Sequence, residues 1–280
     1  MIFYAGTADA PWLRDPRAAW CISRNQMPVG PAPRARGPYL LDSGAFETIS
    51  ADGGWSITPE RYIAEIEMWC FWPGRPDAVG PMDWPCEDQM LVRTGLSVLE
   101  HQKRSLDNYV ALAALWSTSD TLGDIPCLIM PPLQGDTVAA YLRMIEMYGE
   151  RGLDLASVPR VGLGSVCRRS STLEIVDIVK AIVDAVPGIR IHTFGMAVPA
   201  IERVGHLVVS GDSAAWSVSA RWGERLPGCS THKKCVSCKD YALDWYERLL
   251  AKHPKLLKRP APIAPPTPVQ PGWFELPEAA

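Results

Sequence analysis

Short apolar runs alternate with amphipathic stretches of helical period along nearly the whole chain, and this alternation constrains the fold more than any single motif. Runs at 2–4, 39–41, 78–82, 126–130, 161–164, 189–194 and 206–210 read as strands. Thr58 followed by Pro59 marks a helix start, as N-cap and first helical residue. A helical region covers about 87–118, read as two helices. Thr137 opens a helix that should stop at Gly149, with Asp136 as a candidate cap. Ser171 opens another, with Leu173, Ile175, Val176, Val179 and Ile182 at helical spacing. Shorter patterns follow at 199–204 and 240–253. Strands alternating with helices imply βα units and a parallel sheet. Seven strands are counted and an eighth is not obvious. The expected fold is α/β, a (β/α)8 TIM-like barrel. The rival doubly wound sheet lacks its GxGxxG after the first strand.

The polar residues cluster where these strands end. "YLLDSGAFET" turns from an apolar run to Asp42, Ser43, Gly44 and Ala45. Asp83, Gln134, Gly162 to Ser165, Gly195 with Met196, and Asp212 hold the matching places after later runs. In a parallel barrel such positions converge on one pocket. An Asp after a strand is also a common helix N-cap, so each one alone has a purely structural reading. Two carboxylates in one pocket suit chemistry through an oxocarbenium-like sugar, one attacking or stabilising the anomeric carbon and the other moving protons. A third carboxylate with a glutamine and glycine-exposed backbone suits recognition of a flat base.

The 280 residues are 47% hydrophobic and 21% charged, enough for a sizeable core. The net charge of -3 leaves no strong basic field, so a nucleic acid would be held by local patches. Arg34, Arg36, Arg168, Arg169, Lys233, Lys234 and Lys239 are candidates for phosphate contacts, or simply a solvated face. Five of the eight cysteines are scattered, which reads as a reducing, cytoplasmic setting. Neither a signal peptide nor a membrane-spanning run is visible.

The other three cysteines crowd into CSTHKKCVSC. Cys229, His232, Cys235 and Cys238 have the spacing of a closed, structural zinc site with three sulfurs and one nitrogen. The expected division is a barrel over 1–222, the zinc segment and closing helix over 223–254, and a proline-rich tail over 255–280. His192, inside a strand, reads as a core residue or one behind the site rather than a catalytic one, and His101 and His253 as surface. Trp84 and Trp216 flank the carboxylates and are candidate pocket walls, although most tryptophans are packing.

Asp42-Ser43-Gly44-Ala45-Phe46 resembles the DSGG(F/Y)Q motif of the tRNA-guanine transglycosylase superfamily. The order that follows is similar too: an Asp, a Gln-Gly, a Gly-Leu, a Gly-Met turn, an Asp, then a zinc cluster. The look is closest to the phage and bacterial relatives that exchange guanine in DNA for a 7-deazaguanine such as preQ0. The resemblance implies Asp212 as nucleophile at C1′ and Asp42 as general acid/base. It implies Phe46 and Met196 on the two faces of the base. Ser43 would stand beside it, with Asp83, Gln134 and the backbone around Gly135, Gly162 and Leu163 reading its edge. Cys229, His232, Cys235 and Cys238 would bind structural Zn2+. The implied partners are DNA and a free 7-deazaguanine base, with no membrane, and a homodimer or pathway proteins as further candidates. Ala45 and Glu47 stand where the motif has glycine and glutamine, and the ligand order Cys, His, Cys, Cys differs from that of the tRNA enzymes. A tRNA substrate, or a zinc-stapled barrel that binds nucleic acid without catalysis, are the alternatives.

Overall fold

A computed structural model describes residues 1–167, 172–259 and 261. Its strands are β1 (Ile2–Gly6), β2 (Ala19–Ser23), β3 (Tyr39–Asp42), β4 (Ala78–Val79), β5 (Pro132–Leu133), β6 (Val161–Leu163), β7 (Ile191–Thr193) and β8 (Ser210–Ser213). The helices are α1 (Ala45–Asp52), α2 (Pro59–Phe71), α3 (Asp88–Thr94), α4 (Val98–Thr118), α5 (Val138–Glu150), α6 (Thr172–Ala185), α7 (Val198–Val204), α8 (Ala215–Trp222) and α9 (Lys239–Lys252). No helix among the described residues is long and apolar enough to cross a membrane.

All eight strands pair in parallel in one curled sheet, in the order β4-β3-β2-β1-β8-β7-β6-β5. A closed barrel needs a ladder between β4 and β5. The structure has a single bridge there, Val79 with Ile129, made by Val79 N–H to Leu128 O at 2.8 Å and Met130 N–H to Val79 O at 3.0 Å. Pro131 and Pro132 come next and carry no N–H with which to extend it. The expected strand at 126–130 is therefore this bridge followed by a two-residue β5. The expected run at 206–210 becomes a turn, with the strand displaced to β8.

The strand missing from the sequence count is β2. No helix of α type separates β1, β2 and β3; the connections hold only short 3-10 turns at Ala10–Arg14 and Arg24–Gln26. Glu65 of α2 ties the second of these turns in place, accepting from Arg24 at 2.6 Å and Arg61 at 3.0 Å.

Side chains alternate across the sheet with period two. Phe3, Ala5, Trp20, Ile22, Tyr39, Leu41, Val79, Val161, Leu163 and Ile191 belong to the main core between sheet and helices. Tyr4, Ala19, Cys21, Leu40, Ala78 and Met130 form a second cluster inside the curl, with Ile2 and Phe194 packed against it. The same alternation puts Asp42, His192, Ser210 and Asp212 on the inner face.

Local signals fix the helix starts. Thr58 accepts from Arg61 N–H, and Ser97 with Glu100 makes a full capping box for α4. Thr137, not Asp136, caps α5 by accepting from Ala140 N–H. Ser171 lies outside the described residues, as do Arg168 and Arg169 and most of the proline-rich tail. His101 and His253, expected at the surface, are buried; His101 Nδ1 sits 2.7 Å from Pro85 O.

Candidate functional site

Where β1, β2, β3, β6 and β8 and the segments after β4, β5 and β7 end together, they enclose a cavity of about 310 Å3, at the small end of ligand sites. Asp42, Ser43, Phe46, Asp83, Gln134 and Asp212 all line it. Gly6, Thr7, Cys21, Glu87, Ser165, Phe194 and Gly195 complete much of the wall. The three carboxylates that the sequence scatters over 171 positions are thus brought to one chamber.

None of the three is a helix cap. Asp42 ends β3, and the N-cap of α1 is Gly44, at φ 70°. Asp42 Oδ2 accepts the Gly44 N–H at 3.0 Å, which folds the chain back at once and leaves the carboxylate at the rim. A side chain on Gly44 would meet Asn25 Nδ2 at 2.6 Å. Glu87 occupies the N-cap position of α3, clear of Asp83, and Asp212 lies within β8.

Burial sets the electrostatics. It lifts the Asp42 carboxyl to about 7, helped by the charges of Asp212 and Glu47 and opposed by the Gly44 and Ser43 amides. Asp83 also rises to about 7, through burial and then the charges of Asp42 and Glu87, against the hydrogen bond from Gln134. Cys21, inside the curl beneath both Asp42 and Asp212, is pushed well up by burial and by those two charges, so it faces them as a neutral thiol.

A hydrogen-bonded row runs from Asp83. Ser43 Oγ donates to Asp83 Oδ1 at 3.3 Å, and Gln134 Nε2 donates to Asp83 Oδ2. Ser165 Oγ donates to Gln134 Oε1 at 2.5 Å and receives the Cys86 N–H at 2.7 Å. Ser165 sits in the left-handed region at φ 56°, the only non-glycine to do so among the described residues. Gln102 Nε2 donates to Gln134 O at 2.6 Å, which fixes the backbone below. Gly164 has to lack a side chain because the Gln134 amide lies 2.2 Å from where its Cβ would be. Along this part of the cavity wall donors and acceptors alternate.

The remaining expected contacts divide by face. Leu163 is on the outer face in the core, and Gly135 packs under Tyr141. Gly162 is on the inner face but lies beneath the Phe194 ring, 2.5 Å from its would-be Cβ. Met196 is buried in the core at 1% exposure; Phe194, two residues earlier, lines the cavity instead. Trp84 and Trp216 do not line it. Trp84 packs with Ile49 and Met90 under Arg104, and Trp216 donates its Nε1–H to Gly6 O at 2.8 Å. Sequence reading overlooked Cys21 and Thr7 because it overlooked β2 and the end of β1. Period-two alternation from His192 was the signal that could have found Phe194.

Cys229, His232, Cys235 and Cys238 place one ligand atom each within 4.8 Å of the others and could hold a metal ion. Tetrahedral zinc sets its sulfur and nitrogen ligands about 3.5–3.8 Å apart. His232 Nε2 lies 3.1 Å from Cys229 Sγ and 3.2 Å from Cys235 Sγ, and Cys229 Sγ lies 4.0 Å from Cys238 Sγ. Thr231 Oγ1 engages His232 Nδ1 at 2.9 Å and leaves Nε2 for the metal, while Leu226 N–H points at Cys235 Sγ. The set fits zinc, and four protein ligands leave no position for substrate.

Among solved structures the chain is similar to one assigned as an isomerase from Sinorhizobium meliloti (10% identity, TM-score 0.38, 76% of this chain and 49% of that one). PhdJ bound to a substrate intermediate is another (15%, TM-score 0.35, 73% and 54%). A third is assigned as a fructose-1,6-biphosphate aldolase from Coccidioides immitis (8%, TM-score 0.45, 91% and 91%). The chain spans about half the length of the first two. No curated protein matches it. The family model DpdA, DeoxyPurine in DNA protein A, matches residues 1–265. With that match over most of its length, the chain belongs to the DpdA family, the DNA 7-deazaguanine transglycosylases related to tRNA-guanine transglycosylase.

Proposed function

We propose that this chain exchanges guanine in DNA for a free 7-deazaguanine base such as preQ0, through a covalent glycosyl–aspartate intermediate. The observation that carries the reading is the opening of Asp42 and Asp212 into one cavity, with Asp42 poised near neutrality.

Asp212 attacks C1′ as the glycosidic C–N bond breaks, and the departing guanine takes a proton from Asp42. The incoming base gives its N9 proton back to Asp42, its N9 bonds to C1′, and Asp212 leaves as carboxylate. Two displacements retain the sugar configuration. A group near 7 can serve both proton transfers, because both of its forms are populated at neutral pH. Phe46 and Phe194 cover the faces of the base, and Ser43, Asp83, Gln134 and Ser165 read its edge. The backbone around Gly135, Gly162 and Leu163 adds to the edge reading, and Met196, buried in the core, does not reach the base. The target nucleotide must leave a duplex stack to reach a chamber of this size.

The metal-holding segment over 223–254 is a staple on the curled, eight-stranded parallel α/β unit over 1–222. Ser217 Oγ of α8 donates to Val236 O at 2.7 Å, and Cys235 and Cys238 are part of the main core, which supports the segment being packed onto the unit it staples. Zinc, when bound, cross-links this segment and adds no chemistry to the cavity.

Purified protein is incubated with guanine-containing DNA and labelled preQ0 or guanine. Incorporation of label supports the reading, and its absence under every condition overturns it. Asp212→Asn should abolish covalent trapping of DNA; trapping at the normal rate removes the nucleophile assignment. Competition by tRNA in the same assay decides the polymer.

A further inference from the structure

The inner face of the sheet carries one imidazole, fully buried, directly behind the cavity. His192 on β7 has 0% exposure, and the register sets it beside Ser210 of β8. Its Nδ1 lies 2.9 Å from Ser210 Oγ. Its Nε2 lies 3.3 Å from Asp212 Oδ1 yet completes no hydrogen bond, and it is one of few buried side-chain nitrogens or oxygens without a partner among the described residues. Asp212 Oδ1 is also the atom that receives the Gly195 N–H, at 3.1 Å.

The surroundings fix the state of this ring. Phe194 and Tyr4 pack edge-on against it, at 4.8 Å and 6.2 Å between centroids. The titratable or charged groups that face it are Asp212 from β8, Tyr4 from β1 and, from the segment before β6, Arg160. Burial, with Arg160, opposes a positive charge, so the ring is neutral, while Asp212 pulls the other way. A neutral imidazole has one N–H. Were it on Nδ1, the Nε2 lone pair would confront a carboxylate oxygen at 3.3 Å, a repulsive contact in a dry interior. With Ser210 donating to Nδ1, the proton sits on Nε2, the ring nitrogen on the Asp212 side. A small rotation of the ring or the carboxylate then aims this N–H at Oδ1 and completes the bond that a buried donor requires.

We propose that His192 is the positioning residue of the Asp212 carboxylate: its Nε2–H and the Gly195 amide together hold Oδ1, so that Oδ2 is the oxygen delivered to C1′. This rests on Asp212 being the nucleophile. In the first displacement the held carboxylate spends no freedom on finding its attack angle. In the second, the same donors stabilise the carboxylate charge as the C1′–O bond breaks and Oδ2 departs. His192 itself transfers no proton.

Two readouts test this. In protein labelled with 15N-histidine, the His192 signals, assigned by their loss in His192→Gln, should be those of a neutral ring carrying its proton on Nε2. A neutral ring protonated on Nδ1, or an imidazolium at pH 7, overturns the proposal without reference to activity. In single-turnover trapping of guanine-containing DNA, His192→Phe should be about 10- to 100-fold slower, the rate equivalent of one hydrogen bond to a charged group. KM for DNA should change little, and the acidic limb of the rate profile should move to higher pH. His192→Gln, whose amide can still donate, should recover part of the rate. Trapping by His192→Phe at the wild-type rate, with an unmoved acidic limb, also overturns the proposal. Should His192→Phe fail to fold, Ser210→Ala replaces it: loss of the tautomer lock should slow trapping, and an unchanged rate with an unchanged His192 spectrum counts against the proposal. A wild-type protein that traps no DNA refutes the reaction, and the tautomer then decides the contact on its own.

Discussion

Asp42 and Asp212 open into the same cavity, and after burial the charge on Asp212 is the largest cause of the rise of the Asp42 carboxyl to about 7. Both forms of Asp42 are therefore populated at neutral pH, so it can give a proton and take one back, as the proposed exchange requires.

Asp42→Asn removes the group that gives and takes the proton. We expect a loss of about 100- to 10,000-fold in exchange rate, with KM for DNA changed far less. The limb of the wild-type pH profile near 7 should vanish in the variant. Initial rates between pH 5 and 9 check this.

Asp42 and Asp83 also make the fold sensitive to pH. Both carboxyls are raised from about 3.8 to about 7, so between these values the folded chain holds protons that the unfolded chain has lost. Their cost to stability is absent below pH 4 and grows as pH rises through 7. Asp83→Asn should raise Tm at pH 8 by about 2–4 °C, taking roughly 1 kcal/mol as the relief, and should bring no gain at pH 4. Thermal unfolding at the two pH values is the measurement.

Gln134→Leu keeps the volume of the side chain and deletes both of its hydrogen bonds, to Asp83 and from Ser165. The Asp83 carboxyl loses the bond that holds it down and rises further. The expected result is a fall of about 10- to 100-fold in kcat/KM for the free base. Rates measured against base concentration report it.

Gly44→Ala forces a side chain into the left-handed conformation and against Asn25. Strain of about 1–2 kcal/mol is expected, with the Asp42–Gly44 turn displaced. Activity should fall together with Tm, whereas Gly53→Ala, also left-handed but with open space around it, should lower Tm alone.

Metal analysis should find one zinc per chain. A strong chelator, or Cys235→Ser, should leave 223–238 open to protease before the rest of the chain unfolds. A cluster that binds no metal and protects equally well in Cys235→Ser would remove the staple.

The legible part of this protein was local. Thr58-Pro59 and the run after Thr137 each announce a helix start through a cap that needs only neighbours in sequence. The ligand spacing from Cys229 to Cys238 survives translation into space for the same reason, since ten consecutive residues can close on one ion without help from the rest of the fold. β2 was illegible because its AWCIS sits between two loops, with no helix to set the rhythm, and a strand buried on both faces shows no alternation.

By itself the sequence determined the alternation of strands and helices, the caps and the metal spacing, all of which depend on contacts a few residues apart. Only the tertiary structure decided that Asp42, Asp83 and Asp212 share one chamber. It also decided that Phe194 rather than Met196 meets that chamber, and that His192 stands behind Asp212. Those relations follow from strand register and from which face of a curled sheet a side chain takes, and a shift of one residue in pairing would turn Asp42, His192 or Asp212 to the opposite face.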